Sequence, residues 1–131
     1  MRILGIEFAS SQMTYVLLED AIGDQPSIKA SNRVSLGDTR SRDALRAFQT
    51  AVLTLFNNAA PDLVAIKDKP EKGTLRAGAA ALKMEGVVLA NAPCATKFIS
   101  GARINKCAPS SELHSYQQAA FKAAAAALED Q

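Results

Sequence analysis

The sequence predicts an α/β domain with a five-stranded mixed sheet and helices on both faces, in the order β-β-β-α-β-α-β-α. Two observations carry this prediction. The first third of the chain has the continuous or alternating apolar pattern of strands, and the later part has apolar residues at helical spacing, separated by short apolar runs. The length of 131 residues is that of one domain, so residues 1–131 are expected to form a single unit.

Three strands are predicted first, as an antiparallel meander. Residues 2–8 are nearly all apolar on both faces, with Arg2 at the start and Glu7 as the exception inside the run, which indicates a central strand covered by helices on both sides. The next two strands are predicted over residues 13–18 and 28–36, with a turn over residues 20–27 between them. Glu7 is therefore an unusual carboxylate at the end of a buried strand.

Helices and short strands alternate in the remainder. The predicted elements are a helix over residues 41–59, a strand over 63–66, a helix over 74–91, a strand over 95–99 and a helix from about 110 to 129. Ser41 is placed to cap the first helix, and Asp43 suits the positive end of its dipole. The second helix has an inward stripe of small residues with Leu75, Gly78 and Gly86. Because glycine in a helix costs about 1 kcal/mol relative to alanine, this stripe predicts close packing against the sheet.

Composition and charge exclude several classes of protein. A hydrophobic content of 48% is too high for a disordered chain, and a net charge of +2 is too small for a general phosphate neutraliser. One His and two Cys argue against an all-protein zinc site. We see no signal peptide or membrane segment, and Cys94 and Cys107 are expected to be reduced thiols, which predicts a cytoplasmic protein without membrane association.

The element order and two segments carry a family resemblance. Residues 3–7 (Ile-Leu-Gly-Ile-Glu), followed by a turn and a strand, resemble the opening hairpin of the ribonuclease-H-like fold. Residues 64–67 and 80–90, the latter with small residues before a Gly-Val pair, resemble the middle of RuvC-type Holliday-junction resolvases. The chain is also similar to a family of uncharacterised bacterial RuvC-like proteins. The resemblance covers nearly the whole chain in element order and these segments in residue detail.

This resemblance implies two-metal phosphodiester cleavage. Such nucleases hold Mg²⁺ or Mn²⁺ with carboxylates from the first strand, the fourth strand and the last helix. This sequence departs from that pattern at most of these positions. Glu7 occupies the first-strand position, Lys67 the fourth-strand position, and Gln117 and Gln118 the positions on the last helix.

The candidate catalytic positions of this cleft are Glu7, Lys67, Asp68, Glu112 and His114, with Glu71 as a second substitute for Asp68. Adjacent parallel strands would place Glu7 beside Lys67, so we expect them to form an ion pair where the family holds a metal. The alternative is a retained metal site built from Glu7, Asp68 and Glu112. The isolated His114 is more simply an exposed polar residue.

Basic residues cluster where open α/β sheets bind ligands. Five are candidates for a rim that contacts nucleic-acid phosphates: Lys69, Lys72, Arg76, Arg103 and Lys106. The alternative is a solvated loop in which Asp68 and Glu71 balance the charge. No aromatic platform for single strands is expected, because Tyr15, Tyr116 and most Phe residues fall in apolar stripes.

These features favour a RuvC-like protein with a degenerate nuclease site, non-catalytic, that binds DNA, RNA or a protein partner through the old cleft. No cofactor is favoured. Two alternatives stay open. One is an active nuclease that uses Mg²⁺ or Mn²⁺ with a rearranged set of carboxylates. The other is a structural module that forms homo-oligomers.

Overall fold

The computed structural model describes residues 1–20, 25–74 and 76–131. In chain order the elements are β1 (Arg2–Ala9), β2 (Gln12–Glu19), β3 (Ser27–Ser35), α1 (Arg42–Ala59), β4 (Leu63–Lys67), α2 (Ala79–Asn91), β5 (Ala95–Ile99), α3 (Gly101–Lys106), a 3-10 turn (Ser115–Gln117) and α4 (Gln118–Glu129). The predicted fold class is confirmed, and α3 is an additional short helix. Part of the turn predicted over residues 20–27, and Leu75 of the predicted stripe, lie outside the described residues.

The strands form one sheet in the order β3-β2-β1-β4-β5. The first three strands pair antiparallel, as the meander requires, whereas β4 pairs parallel with both β1 and β5. The carboxyl ends of β1, β4 and β5 therefore meet at one edge of the sheet. The turn between β1 and β2, at Ser10 and Ser11, lies at the same edge, which we call the carboxyl edge.

Helices α1 and α2 cover one face of the sheet, called here the α1 face. Phe48 and Val52 of α1 are buried there with Leu4 and Ile6 of β1. Each such side chain contributes about 1.5–3 kcal/mol by leaving water. The predicted N-cap of α1 is confirmed, since Ser41 Oγ accepts a hydrogen bond from the backbone N–H of Ala44 at 3.1 Å.

Helix α4 covers the opposite face, the α4 face, at very short range. A Cβ built on Gly5 would lie 2.0 Å from the backbone oxygen of Ala120 and 2.9 Å from the Cβ of Ala124. Ala120, Ala123, Ala124 and Ala127 are completely buried. These alanines are thus the packing surface of the helix. Glycine on β1 and alanine on α4 are what allow this approach.

The packing predicted for the second helix is wrong in two respects. Helix α2 begins at Ala79, and its buried residues are Ala81, Met84 and Val88. Gly86 is exposed, and no atom lies within 4 Å of a Cβ built there. The glycine on that helix therefore has no packing role, and the close approach that small residues indicated occurs instead between Gly5 and α4.

The last helix is shorter than predicted, and a helix precedes it that was not predicted. Ser100 Oγ caps α3 by accepting from the N–H of Arg103 at 3.2 Å. Helix α4 begins only at Gln118, after the 3-10 turn. The six residues of α3 are too few to show an apolar period, so the sequence predicts no element between residues 99 and 110.

The two cysteines lie on opposite faces of the sheet. Cys94 packs against the core of the α1 face and Cys107 against that of the α4 face, and both are free. The expectation of two thiols, and not a disulfide, is confirmed. Burial, with the negative charge of Asp62, raises the pKa of the Cys94 thiol. None of the helices in the described ranges has the length and apolar character needed to cross a membrane.

Candidate functional site

Glu7 and Lys67 meet at the carboxyl edge. Ile6 lies opposite Ile66 in the parallel register of β1 and β4, so the next side chain on each strand points to the α4 face beside the other. Lys67 Nζ donates to Glu7 Oε2 at 3.2 Å. The side chain of Glu7 is 16% exposed and that of Lys67 is 28% exposed, so water solvates each charge only in part. The ion pair expected from the sequence is present.

This pair belongs to a longer row of side chains across the sheet. Glu7 lies opposite Thr14 of β2, and Thr14 lies opposite Arg33 of β3. Directly paired residues share a face, and adjacent strands are about 4.8 Å apart, so Arg33 stands about 10 Å from Glu7. We call Arg33, Thr14, Glu7 and Lys67 the cross-sheet row. Thr14 is buried, whereas Arg33 at the end of the row is exposed.

Gln117 lies at the start of α4 and joins this helix to β3. Its side chain is buried and makes two hydrogen bonds: Nε2 donates to Ser31 Oγ at 2.7 Å, and Oε1 accepts from the N–H of His114 at 2.8 Å. A carboxylate at this position could accept but not donate. The Gln117 amide thus donates one hydrogen bond and accepts another, and both bonds hold the start of α4 in place.

Gln118 uses its side chain to hold the segment that precedes α4. Its Oε1 accepts from the N–H of Ser110 at 2.9 Å, while Nε2 donates to the carbonyl oxygens of Ser110 at 2.8 Å and Leu113 at 3.0 Å. A carboxylate in the same place would set a negative charge against these two oxygens. Gln117 and Gln118, at the positions where the resemblance implies acids, therefore both make hydrogen bonds that stabilise the local chain conformation.

Asp68 and Glu112 do not join Glu7. Asp68 follows Lys67 directly and lies on the α1 face, where it lines a shallow cavity of about 360 Å³ with Glu85 of α2. Glu112 is exposed in the segment between α3 and α4. Within residues 1–20, 25–74 and 76–131, no three His, Cys, Asp or Glu side chains converge as metal ligands. The alternative site of Glu7, Asp68 and Glu112 is not assembled.

The groups at the carboxyl edge do not fit the two-metal centre that the resemblance implies. Such a centre needs several carboxylate oxygens around one point, because Mg²⁺ and Mn²⁺ take hard oxygen ligands. On the α4 face of this edge the described residues offer one carboxylate, which is paired with an ammonium, and two amides that already have partners. These groups suit hydrogen bonding and charge pairing.

The acidic groups that are close together lie on the α1 face instead. The cavity of Asp68 and Glu85 also contains Glu71 and the exposed ring of Phe98. Burial, and then the charges of Glu71 and Asp68, raise the pKa of Glu85. Burial and the two neighbouring carboxylates thus both disfavour the charged form of Glu85.

Two of the predicted basic residues come together at the carboxyl edge. Lys69 and Arg76 line a cavity of about 360 Å³ with Ser10, Ser11 and the start of α2. Lys69 is half-buried and Arg76 is exposed, and one guanidinium nitrogen of Arg76 donates to the carbonyl of Gly73 at 3.2 Å. An ammonium, a guanidinium and two hydroxyls are the donors that phosphate oxygens accept from.

The predicted rim is otherwise dispersed. Arg103 is engaged at the C-terminal end of α4: its Nη1 lies 2.7 Å from Asp130 Oδ2, and its Nη2 donates to the carbonyl of Ala126 at 3.1 Å. Hydrogen bonds from Arg103 and Lys97 lower the pKa of Asp130 to about 2. This occupied guanidinium is not available to a phosphate in the way that the sequence suggested. Lys72 and Lys106 are exposed.

An exposed stack of planar side chains lies next to the cross-sheet row. The rings of His114 and Tyr116 stack with centroids 6.0 Å apart and planes 9° apart, and the Arg33 guanidinium carbon lies 4.2 Å from the centre of the Tyr116 ring. The expectation that Tyr116 belongs to an apolar stripe is wrong, because the 3-10 turn takes this residue out of α4. His114 is exposed, as expected. No sequence signal links Arg33 with a residue so far along the chain.

The architecture is that of Holliday junction resolvases. Thermus thermophilus RuvC has a TM-score of 0.75 at 12% identity, over 96% of this chain and 92% of that chain. RuvC from T. thermophilus in complex with a Holliday junction substrate gives 0.73 at 14% identity, over the same shares of the two chains. Fowlpox virus resolvase in complex with Holliday junction DNA gives 0.55 at 13% identity, over 99% and 98%. At these identities the likeness shows the fold alone, which is similar to that of these resolvases.

The family follows from the sequence itself. The model of DUF3010, a protein family of unknown function, matches residues 1–127, and the chain belongs to this family. Comparison with curated proteins gives no match.

Proposed function

We propose that this protein binds nucleic acid at its carboxyl edge and does not cleave it. The observation that carries the proposal is the ion pair of Glu7 and Lys67. Metal-assisted phosphodiester cleavage needs divalent cations at the reacting phosphate. An ammonium beside the central carboxylate repels such cations and already balances the negative charge that would attract them.

Nucleic-acid binding is supported by the donors that remain at this edge. Lys69, Arg76, Ser10 and Ser11 share one cavity, and the exposed Arg33 stands at the end of the cross-sheet row. The net charge of +2 on the whole chain means that attraction for phosphates is local and sensitive to salt. Two proteins of the same fold, RuvC and the Fowlpox virus resolvase, have been described with Holliday junctions.

The test is a binding and cleavage assay with labelled four-way junction, single-stranded and duplex DNA. Anisotropy measures binding over a range of salt concentrations, and a denaturing gel measures cleavage with Mg²⁺ or Mn²⁺. We expect binding that weakens with salt, and no cleavage. Replacing Lys69 and Arg76 by glutamine should lower the slope of log K against log salt by about 1.4–1.8, from the two lost phosphate contacts. Replacing the exposed Lys29 by glutamine removes a charge near the start of β3, away from the carboxyl edge, and should leave the slope nearly unchanged.

Other outcomes identify the alternatives. Cleavage that needs Mn²⁺ and disappears in Glu7→Gln would show the nuclease with rearranged carboxylates. Calorimetric titration with Mn²⁺ gives a second readout, because binding that depends on Glu7 in the parent and is lost in Glu7→Ala would contradict the ion-pair interpretation. Absence of binding to all three DNAs would refute the proposal and favour a structural module, which sedimentation analysis of the oligomeric state would then examine.

A further inference from the structure

Arg33, Tyr116 and His114 form what we call the planar stack. All three side chains are exposed, and Tyr116 keeps 42% of its surface in contact with solvent. The guanidinium and the two rings are flat and lie against one another, with the Arg33 carbon 4.2 Å from the Tyr116 ring centre. A large aromatic side chain held in this orientation at the surface costs conformational entropy without the benefit of full burial.

The stack is not needed to hold its own segment in place. Gln117 already fastens the 3-10 turn to β3 through the buried hydrogen bond to Ser31 Oγ. The same side chain accepts from the N–H of His114 and so fixes the start of the turn. Gln118 holds the preceding residues by three further hydrogen bonds. The exposed rings are therefore free for another role.

The position of the stack connects it with the proposed binding edge. Arg33 is both a member of the stack and the end of the cross-sheet row, about 10 Å from Glu7. The Arg33 guanidinium lies over the Tyr116 ring and the His114 ring stacks with it, so a cation and partly exposed flat groups are combined at one place. Such a combination suits a nucleotide, since the cation attracts phosphate while a flat side chain stacks on a base.

We propose that the planar stack binds the base of an unpaired nucleotide, and this inference rests on the proposed function. A base in a duplex has both faces covered by its neighbours, whereas an unpaired base can lie on a protein side chain. The stack thus gives the carboxyl edge a preference for single-stranded segments over continuous duplex. The preference is independent of sequence, because every base has a flat face.

A second exposed aromatic residue provides a matched control. Phe98 is 40% exposed, which is close to Tyr116, but it lies on the α1 face in a cavity with three carboxylates (Asp68, Glu71 and Glu85) and one ammonium (Lys69). The excess of negative charge around this ring disfavours phosphate. Loss of the Phe98 ring is therefore expected to leave nucleic-acid binding unchanged, although the exposed aromatic area removed is similar.

The experiment compares Tyr116→Leu, Tyr116→Phe and Phe98→Leu with the parent protein. The probes are a fluorescent single strand of about 16 thymidines and a dA·dT duplex of equal length. In Tyr116→Leu we expect the Kd for the single strand to rise about 5- to 150-fold with an unchanged salt slope, and the Kd for the duplex to stay the same. Tyr116→Phe keeps the ring and should retain parental affinity, as should Phe98→Leu.

Intrinsic fluorescence adds a readout that is specific to the stack. The chain has no Trp and only two Tyr, so in a Tyr15→Phe background Tyr116 is the sole tyrosine emitter. Quenching of its emission by the unlabelled thymidine strand is expected, and none by inorganic phosphate.

The possible failures are distinct. If the parent binds the single strand but Tyr116→Leu binds it equally well and the emission is not quenched, the stack has no such role and the proposed function stands. If the parent binds the four-way junction but not the single strand, the inference fails and the proposed function stands. If it binds none of the junction, the single strand and the duplex, the proposed function fails and the inference falls with it.

Discussion

Replacing Lys67 by methionine leaves the Glu7 carboxylate without its partner on the α4 face, where 16% of that side chain is exposed. Removal of one partner from a fully buried ion pair costs about 3–5 kcal/mol, whereas an exposed pair contributes about 0.2–1 kcal/mol. The partial exposure of Glu7 and Lys67 places the cost between these limits, at about 2 kcal/mol. For a domain of this length that corresponds to a fall in Tm of about 6–10 °C.

The assay is thermal and urea unfolding of the parent, Lys67→Met, Glu7→Gln and the double variant. Glu7→Gln should cost less than Lys67→Met, because the long lysine side chain can extend its ammonium to water. The double variant should be more stable than the sum of the two changes predicts, by about 1–2 kcal/mol. Lys106→Met, at an exposed position, is the control and should stay within about 0.5 kcal/mol of the parent. Additive effects of the two substitutions would refute the argument that these charges stabilise each other.

Three further predictions concern other contacts. Gly5→Ala should destabilise the protein by about 3 kcal/mol or more, because the new Cβ meets α4, while Gly86→Ala in open space should stabilise it by about 0.5–1 kcal/mol; urea midpoints measure both. Gln118→Glu should cost about 1–3 kcal/mol at neutral pH by the same measurement, and a loss that is absent at neutral pH would contradict the hydrogen-bond assignment. The pKa of Asp130, about 2, should rise toward its ordinary value in Arg103→Gln, as followed by NMR. Because this pKa is lower in the folded state, its contribution to stability is present above about pH 4 and is lost as the pH falls toward 2.

The sequence was sufficient for those parts of the fold that periodicity controls. Five strands and the long helix α1 follow from runs of apolar residues and from the Ser41 cap, and the structure confirms them. The pairing of Glu7 with Lys67 could also be predicted, because parallel register fixes which strand ends lie side by side. Both arguments need only local pattern and topology.

Other features depend on distances between segments that no local pattern contains. The sequence alone does not distinguish Gly5 from Gly86. A Cβ added at Gly5 would lie 2.0 Å from a backbone oxygen of α4, whereas one added at Gly86 would have no atom within 4 Å. The sequence placed Tyr116 in a continuous apolar stripe, whereas α4 begins only at Gln118 and Tyr116 lies in the 3-10 turn before it. The sequence made Arg103 a candidate for phosphate contact, because its partner Asp130 lies 27 residues away, at the end of α4. Side-chain contacts of this kind appear only once the elements are packed.

The two glutamines at the start of α4 also restrict how this protein can change by successive mutations. An acid at position 118 would meet two carbonyl oxygens before it could meet a cation, and one at position 117 would place a charge at a buried position. Exchange of Lys67 alone would leave Glu7 unpaired. Each single step toward a carboxylate-rich site therefore lowers stability before any metal can compensate for the loss. A population of such sequences would be held near its present state by the instability of the intermediates.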